Sequence, residues 1–218
     1  MNVIKRDGTA EPLNLDKIHQ MVEFACEDIT GVSSSQVEMN SGLQFFDGIE
    51  SEQIQNILIK SASDLISLDS PNYQFVAARL LLFSVRKQVF PEWNQTGYPK
   101  LKDHVKTCAE VGVYDGGILK KYDDQEWEEL NSYIDHQRCY GFTYAGLRQI
   151  VDKYLVQDRS TGKVYETPQY MYIMVAATLF QDYPKETRLD YVKRYYTATS
   201  KGKINVPTPV LAGVRTPL

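Results

Sequence analysis

Cysteine is scarce in this sequence: Cys26, Cys108 and Cys139 stand alone among 218 residues. They form no CxxC pair, so neither a disulfide framework nor a zinc ribbon is indicated. Histidine is as rare, and His19, His104 and His136 are too scattered to suggest a metal centre. Long apolar runs are missing too. No segment could span a bilayer, and the N-terminus does not resemble a signal peptide, so the cytoplasm is the default compartment. A basic excess is also lacking. Lys and Arg total 24 against 28 Asp and Glu, for a net charge of −4, which argues against nonspecific nucleic-acid binding. Any polyanion must be held by a local basic cluster.

What is present is the composition of a globular protein, 43% hydrophobic and 24% charged, long enough for one or two domains. Val3-Ile4 before Lys5-Arg6-Asp7-Gly8, then Glu11-Pro12-Leu13, predicts a hairpin, because Gly accepts the positive φ of the turn. Asn14 is a plausible N-cap for a helix over about 15–29, with Leu15, Ile18, Val22, Ala25, Cys26 and Ile29 on one face. Ser33 to Ser35 can cap a second helix reaching about Phe45. Phe46-Asp47-Gly48-Ile49 reads as a turn leading out of a short third strand. Ser51 then caps a helix with Ile54, Ile57, Leu58, Ala62, Leu65 and Ile66 inward. Pro71 opens a largely apolar helix to about Phe90. Residues 1–90 thus read as four helices capped by a small sheet.

Pro91 to Pro99 is the best boundary in the chain. Beyond it the periodicity predicts helices at about 101–112, 123–134, 143–154, 168–182 and 185–200, with one hairpin around Asp158-Arg-Ser-Thr-Gly162. Ile204 to Val210 reads as extended, since Pro207 and Pro209 oppose helix, and Arg215-Thr216-Pro217-Leu218 reads as an open end. The fold class is mainly α.

Lys5 and Arg6 beside a tight turn, with Lys17 early on the next helix, could converge on a polyphosphate. The helix N-terminus would add a modest favourable field. By itself the pattern is more often a solvated loop.

The string Val3-Ile4-Lys5-Arg6-Asp7-Gly8, with Glu11, Leu13, Lys17-Ile18, Phe46-Asp47-Gly48-Ile49, Val76-Ala77-Ala78-Arg79-Leu80 and Arg86-Lys87, resembles the ATP-cone, a regulatory nucleotide-binding domain. The later stretches Lys153-Tyr154-Leu155-Val156, Pro184 to Leu189, Tyr191 to Tyr196, Pro207-Thr208-Pro209 and Gly213 to Pro217 resemble the class Ia ribonucleotide reductase large subunit. That resemblance implies an ATP-cone over 1–92, a helical domain over 93–203, and the start of an otherwise missing α/β barrel over 204–218.

It also implies ATP or dATP as an allosteric effector, accompanied by Mg. Lys5, Arg6 and Lys87 would meet phosphates. Glu11, Pro12, Leu13, Asn14, Leu15, Asp16, Lys17 and Ile18 would frame base and sugar, with Ser51, Ile54 and Gln55 nearby. Asp16 also reads as a favourable first-turn acid. Gln55 stands where the enterobacterial-type cone has a histidine. Gln cannot become cationic, so weaker, less pH-sensitive binding is expected, and the dATP response is left open. Thr208 of Pro207-Thr208-Pro209 is implied as a substrate contact held extended by its prolines. The motif reads equally as seating the first barrel strand.

None of the cysteines lies in the family's active-site context, so no catalytic residue, metal or redox cofactor is assigned to this chain. The expected partners are a second large-subunit polypeptide carrying the barrel, as in split phage-type enzymes, a diiron-tyrosyl radical small subunit, and ribonucleoside diphosphate. Nucleic acid and membrane are not expected, and the compartment would be the host cytoplasm if the gene is a phage's. The alternatives are a free-standing nucleotide-binding module and a transcriptional regulator. The regulator would carry a zinc ribbon before its cone, and no CxxC is present.

Overall fold

The computed structural model describes residues 1–42 and 44–217; Leu43, within the second helix as read from the sequence, and Leu218 lie outside the described residues. The chain separates into two compact units, Met1–Ser84 with Tyr140–Arg148, and Val85–Cys139 with Gln149 onward. No helix among the described residues is long and apolar enough to cross a membrane.

The first unit opens with strands β1 (Asn2–Ile4) and β2 (Ala10–Pro12), paired antiparallel, and β3 (Ile49–Glu50), parallel to β1. The order β2-β1-β3 puts Pro12 on an edge strand, where a missing N–H is tolerated. Gly8 closes the hairpin at φ +84°. The third strand follows the Phe46–Ile49 turn rather than preceding it. Gly48, at φ +79°, reverses the chain there, and fully buried Ile49 takes its place beside Val3.

Four helices complete this unit: α1 (Leu15–Cys26), α2 (Ser34–Gly42), α3 (Ser51–Asp64) and α4 (Tyr73–Val89), which continues into the second unit. Ile18, Val22 and Ala25 of α1, Val37 of α2, Leu58 and Ala62 of α3, and Val76, Ala77 and Leu80 of α4 are buried. The core therefore follows the expected helical period. Helix α1 stops at Cys26, short of residue 29, because Glu27 turns extended and Asp28 takes φ 58°. Cys26 is half-buried, and burial pushes its thiol up to about 11. The N-cap of α3 is Glu50, not Ser51. Strand β3 runs straight into the helix, leaving Glu50 extended, and its amide donates to Gln53 Oε1 at 3.1 Å. Helix α4 starts at Tyr73 rather than Pro71, preceded by turns closing on the Pro71 and Asn72 carbonyls.

Helices α1 and α2 are also clamped at the surface. His19 Nδ1 lies 2.8 Å from Glu38 Oε1 and its Nε2 lies 3.1 Å from Glu23 Oε1. Glu38 foremost, and then Glu23, raise the imidazole pKa above its ordinary 6.5.

The second unit holds the short α5 (Trp93–Thr96), α6 (Leu101–Glu110), α7 (Asp124–Tyr133), the end of α8 (Tyr144–Gln149), α9 (Pro168–Phe180), α10 (Lys185–Ser200) and α11 (Thr208–Gly213). The expected helix over 143–154 is α8 followed by a π-helix, Ile150–Tyr154, in which the Leu155 amide bonds the Ile150 carbonyl. Strands β4 (Gln157–Asp158) and β5 (Lys163–Val164) form the hairpin. Helix α9 is buried from Pro168 through Ala177 and packs along α10, so it is the centre of this unit. The segment read as extended through Val210 is helical from Thr208. Pro209 falls in the first turn of α11, where amides have no intrahelical acceptor and a missing N–H costs nothing.

His104 and His136 are not scattered in space: both rings pack on Tyr170, at 4.7 and 5.3 Å. Burial pushes each down to about 4, so both stay neutral.

At the base of α9, Glu166 and Arg215 are both fully buried. Arg215 Nε donates to Glu166 Oε2 at 2.9 Å and Nη2 donates to Oε1. Glu166 also accepts from the Val156 amide at 2.7 Å and from the Tyr114 hydroxyl. The remaining Arg215 donors reach the Leu211 and Tyr154 carbonyls. Glu126 and Arg188 make a second, nearly buried fork.

Glu166→Gln leaves Arg215 charged and unpaired, a change that costs about 3–5 kcal/mol in comparable buried pairs. Both tryptophans, Trp93 and Trp127, lie in the second unit, so urea unfolding followed by their fluorescence reads this loss. A change below about 1 kcal/mol, the ceiling for exposed pairs, would contradict it. In the first unit, the His19 clamp contributes stability below about pH 6.5 that is lost as pH rises through the raised folded pKa. An NMR titration of Glu38→Gln is expected to return His19 towards its ordinary value; an unchanged pKa would refute the clamp.

Candidate functional site

The hairpin, its turn and the start of α1 build one surface feature. A hollow of about 560 Å³ is lined by Glu11, Pro12, Leu13, Asn14, Leu15, Asp16 and Lys17. Strand β2 delivers the first of these and the Leu13 amide extends the ladder to the Met1 carbonyl at 2.9 Å. Asn14 then leaves the strand, and its Oδ1 accepts the Lys17 amide at 3.0 Å, which starts the helix. The hollow thus lies at the positive end of α1, where anions are favoured.

Leu15 belongs to the apolar face by periodicity, yet it is 62% exposed. It offers the hollow an apolar wall. Ile18, one turn on, is buried beneath. Around the rim, Lys5 Nζ pairs with Glu11 Oε1 at 2.7 Å, and that contact lowers the Glu11 carboxyl below its usual range. Asp7 is likewise lowered, by the Thr9 hydroxyl and amide that bond its Oδ1. These bonds and the Lys5–Thr9 backbone link at 2.8 Å fix the turn. Arg6 is exposed on it and forms no ion pair among the described residues.

The remaining predicted residues fall elsewhere. Ser51, Ile54 and Gln55 lie on α3 and are not in the lining of the hollow. Ile54 is buried, and Gln55 Nε2 donates to the Leu80 carbonyl of α4 at 2.9 Å. Lys87 and Thr208 belong to the second unit. Thr208 is the first residue of α11, so it is held helical and not extended. The sequence reading did not foresee that Lys5 and Glu11 would pair. The hairpin register sets Val3 opposite Glu11, so Lys5, two residues on, is the diagonal neighbour of Glu11 on the same face.

Among the described residues no group of three His, Cys, Asp or Glu is arranged to hold a metal ion. The three thiols are free and unpaired. Burial pushes Cys108 and Cys139 up to about 12.

Residues 1–88 match the ATP cone domain, and residues 140–218 match the ribonucleotide reductase all-alpha domain. Over 215 residues the chain is 51% identical to the ribonucleoside-diphosphate reductase subunit alpha of Haemophilus influenzae. It is 49% identical to the ribonucleoside-diphosphate reductase 1 subunit alpha of Escherichia coli K12. The corresponding subunit of Enterobacteria phage T4 is 39% identical over 219 residues. These matches cover 99–100% of this chain but 28% of each relative. A cone at one end, the all-alpha domain at the other and this level of identity between them place the chain in the ribonucleoside-diphosphate reductase alpha-subunit family, as its N-terminal part.

Proposed function

We propose that this chain is the effector-sensing portion of a ribonucleoside-diphosphate reductase and binds ATP or dATP in the Glu11–Lys17 hollow. The observation that carries the reading is one hollow lined by seven consecutive residues at a helix N-terminus, with Lys5 paired to Glu11 at its rim and Arg6 exposed on the adjoining turn. Phosphates would meet Arg6, Lys5 and the α1 dipole. Leu15 would face the base, and Asn14 and Glu11 its polar edges. The Lys5–Glu11 pair is no obstacle, since exposed pairs hold by at most about 1 kcal/mol, whereas hydrogen bonds to charged groups contribute about 1.5–3 kcal/mol. Mg normally takes one or two carboxylates plus phosphate oxygens, and Asp16 in the hollow fits that demand.

In this reading residues 1–92 sense the effector, 93–203 form the helical domain, and 204–218 lead towards the catalytic barrel, with Thr208 at the substrate. Ser51, Ile54 and Gln55, on α3 of the same unit, would extend the effector shell beyond the lining of the hollow. Ribonucleotide reduction would then use cysteines of the catalytic barrel and a radical from a small subunit, all in the cytoplasm.

Calorimetric titration of the chain with Mg-ATP is expected to show binding at or below millimolar nucleotide. The double variant Lys5→Ala, Arg6→Ala should weaken it roughly tenfold or more, the equivalent of about 1.5–3 kcal/mol. Absence of binding at millimolar ATP, or equal affinity in the variant, would overturn the assignment. Gln55→His should bind ATP severalfold more tightly at pH 6 than at pH 8, since only a protonated imidazole adds a charge, while the native chain stays nearly flat. A flat profile in the variant would remove Gln55 from the effector shell.

A further inference from the structure

Tyr140–Arg148 lies far along the chain from the sheet and helices of the first unit, yet it belongs to that unit. Its anchor is Leu147, which is fully buried. The Tyr140 ring meets α1 and α4 together. It sits 6.4 Å from Phe24 and 6.4 Å from Phe83, edge-on to both, with the Arg79 guanidinium 5.5 Å from its centroid. Phe24 and Phe83 are themselves 5.6 Å apart. Arg79 Nη1 donates to the Glu27 carbonyl at 2.5 Å, which ties α4 to the end of α1.

Both supports of Tyr140 lead back to the residues assigned to the nucleotide. Leu15 opens α1 in the hollow, and Phe24 stands near the other end of the same helix, about 14 Å along its axis at 1.5 Å per residue. Gln55 on α3 bonds the Leu80 carbonyl, beside Arg79 and within a turn of Phe83. A small tilt of α1, or a change at Gln55, therefore arrives at one ring. Tyr140 meets both rings edge-on and Phe24 is 50% exposed, so this junction can shift without opening the core. Both ends of Tyr140–Arg148 continue covalently into the second unit.

We propose that the Phe24–Phe83–Tyr140–Arg79 cluster couples occupancy of the Glu11–Lys17 hollow to the docking of the Tyr140–Arg148 segment, and so relays the effector signal out of the sensing unit. The inference rests on the nucleotide reading above. Because coupling is reciprocal, the segment must in turn alter nucleotide affinity, and couplings of this kind are typically about fivefold or more.

Hydrogen exchange of the full chain with and without saturating Mg-ATP tests it. Protection is expected to rise at residues 5–17 and also at 140–148, with the second change lost in Phe24→Ala. Tyr140→Ala should bind ATP about fivefold more weakly, and Tyr140→Phe, which keeps the ring, should bind as the native chain does. If ATP protects 5–17 and leaves 140–148 unchanged, the coupling is overturned and the nucleotide reading stands. If ATP protects neither region of the native chain, both are overturned. The native-chain measurement decides even if Tyr140→Ala fails to fold.

Discussion

The second unit depends on one fully buried ion pair. Glu166 and Arg215 bring the loop after α6, the end of the π-helix, the approach to the hairpin, the start of α9 and the turn after α11 to one point. A charge pair removed from water repays its desolvation only when the fork geometry is good and the remaining donors and acceptors are met. Here Glu166 accepts from Arg215, Tyr114 and Val156, and Arg215 also serves two backbone carbonyls. The consequence is specificity of arrangement more than net stability. Hydrophobic burial along α9 would tolerate some sliding, whereas a bidentate fork with satisfied neighbours tolerates none. It also fixes where α11, and with it Thr208, begins.

The first unit works by a different constraint, the direct passage from strand to helix. Strand β2 feeds α1 and strand β3 feeds α3 with almost no loop between. A small sheet therefore aims helix N-termini, and the field at such a terminus is what an anion meets. Asn14 spends its side chain on the cap, Lys5 balances Glu11, and Leu15 is left exposed at the surface. With Pro12 and Leu13 it gives the hollow an apolar side, which a nucleobase would cover.

Much of this was legible because it is local. Gly8 had to take a positive φ, Asn14 had to cap, and the buried faces of α1, α3 and α4 follow a period the chain displays. The misreadings share a cause as well. Pro209 was weighed as a helix breaker without its position in the turn, Leu15 was assigned by period to a face it does not join, and Ser51 was preferred as a cap over Glu50 because strand continuity was not visible. What no local pattern could give is pairing across long separations. Glu166 and Arg215 are 49 residues apart, and Tyr140 meets Phe24 from beyond the whole of α2, α3 and α4. Such contacts depend on the completed fold.

The central claim is that the Glu11–Lys17 hollow is where nucleotide binds. An amide-resolved NMR titration of the isotopically labelled chain with Mg-ATP addresses it directly. The account predicts saturable shifts concentrated on the Lys5–Thr9 turn and on residues 11–18, with smaller ones at Gln55. Saturable shifts confined to the second unit, with the hairpin and the start of α1 unmoved, would contradict it.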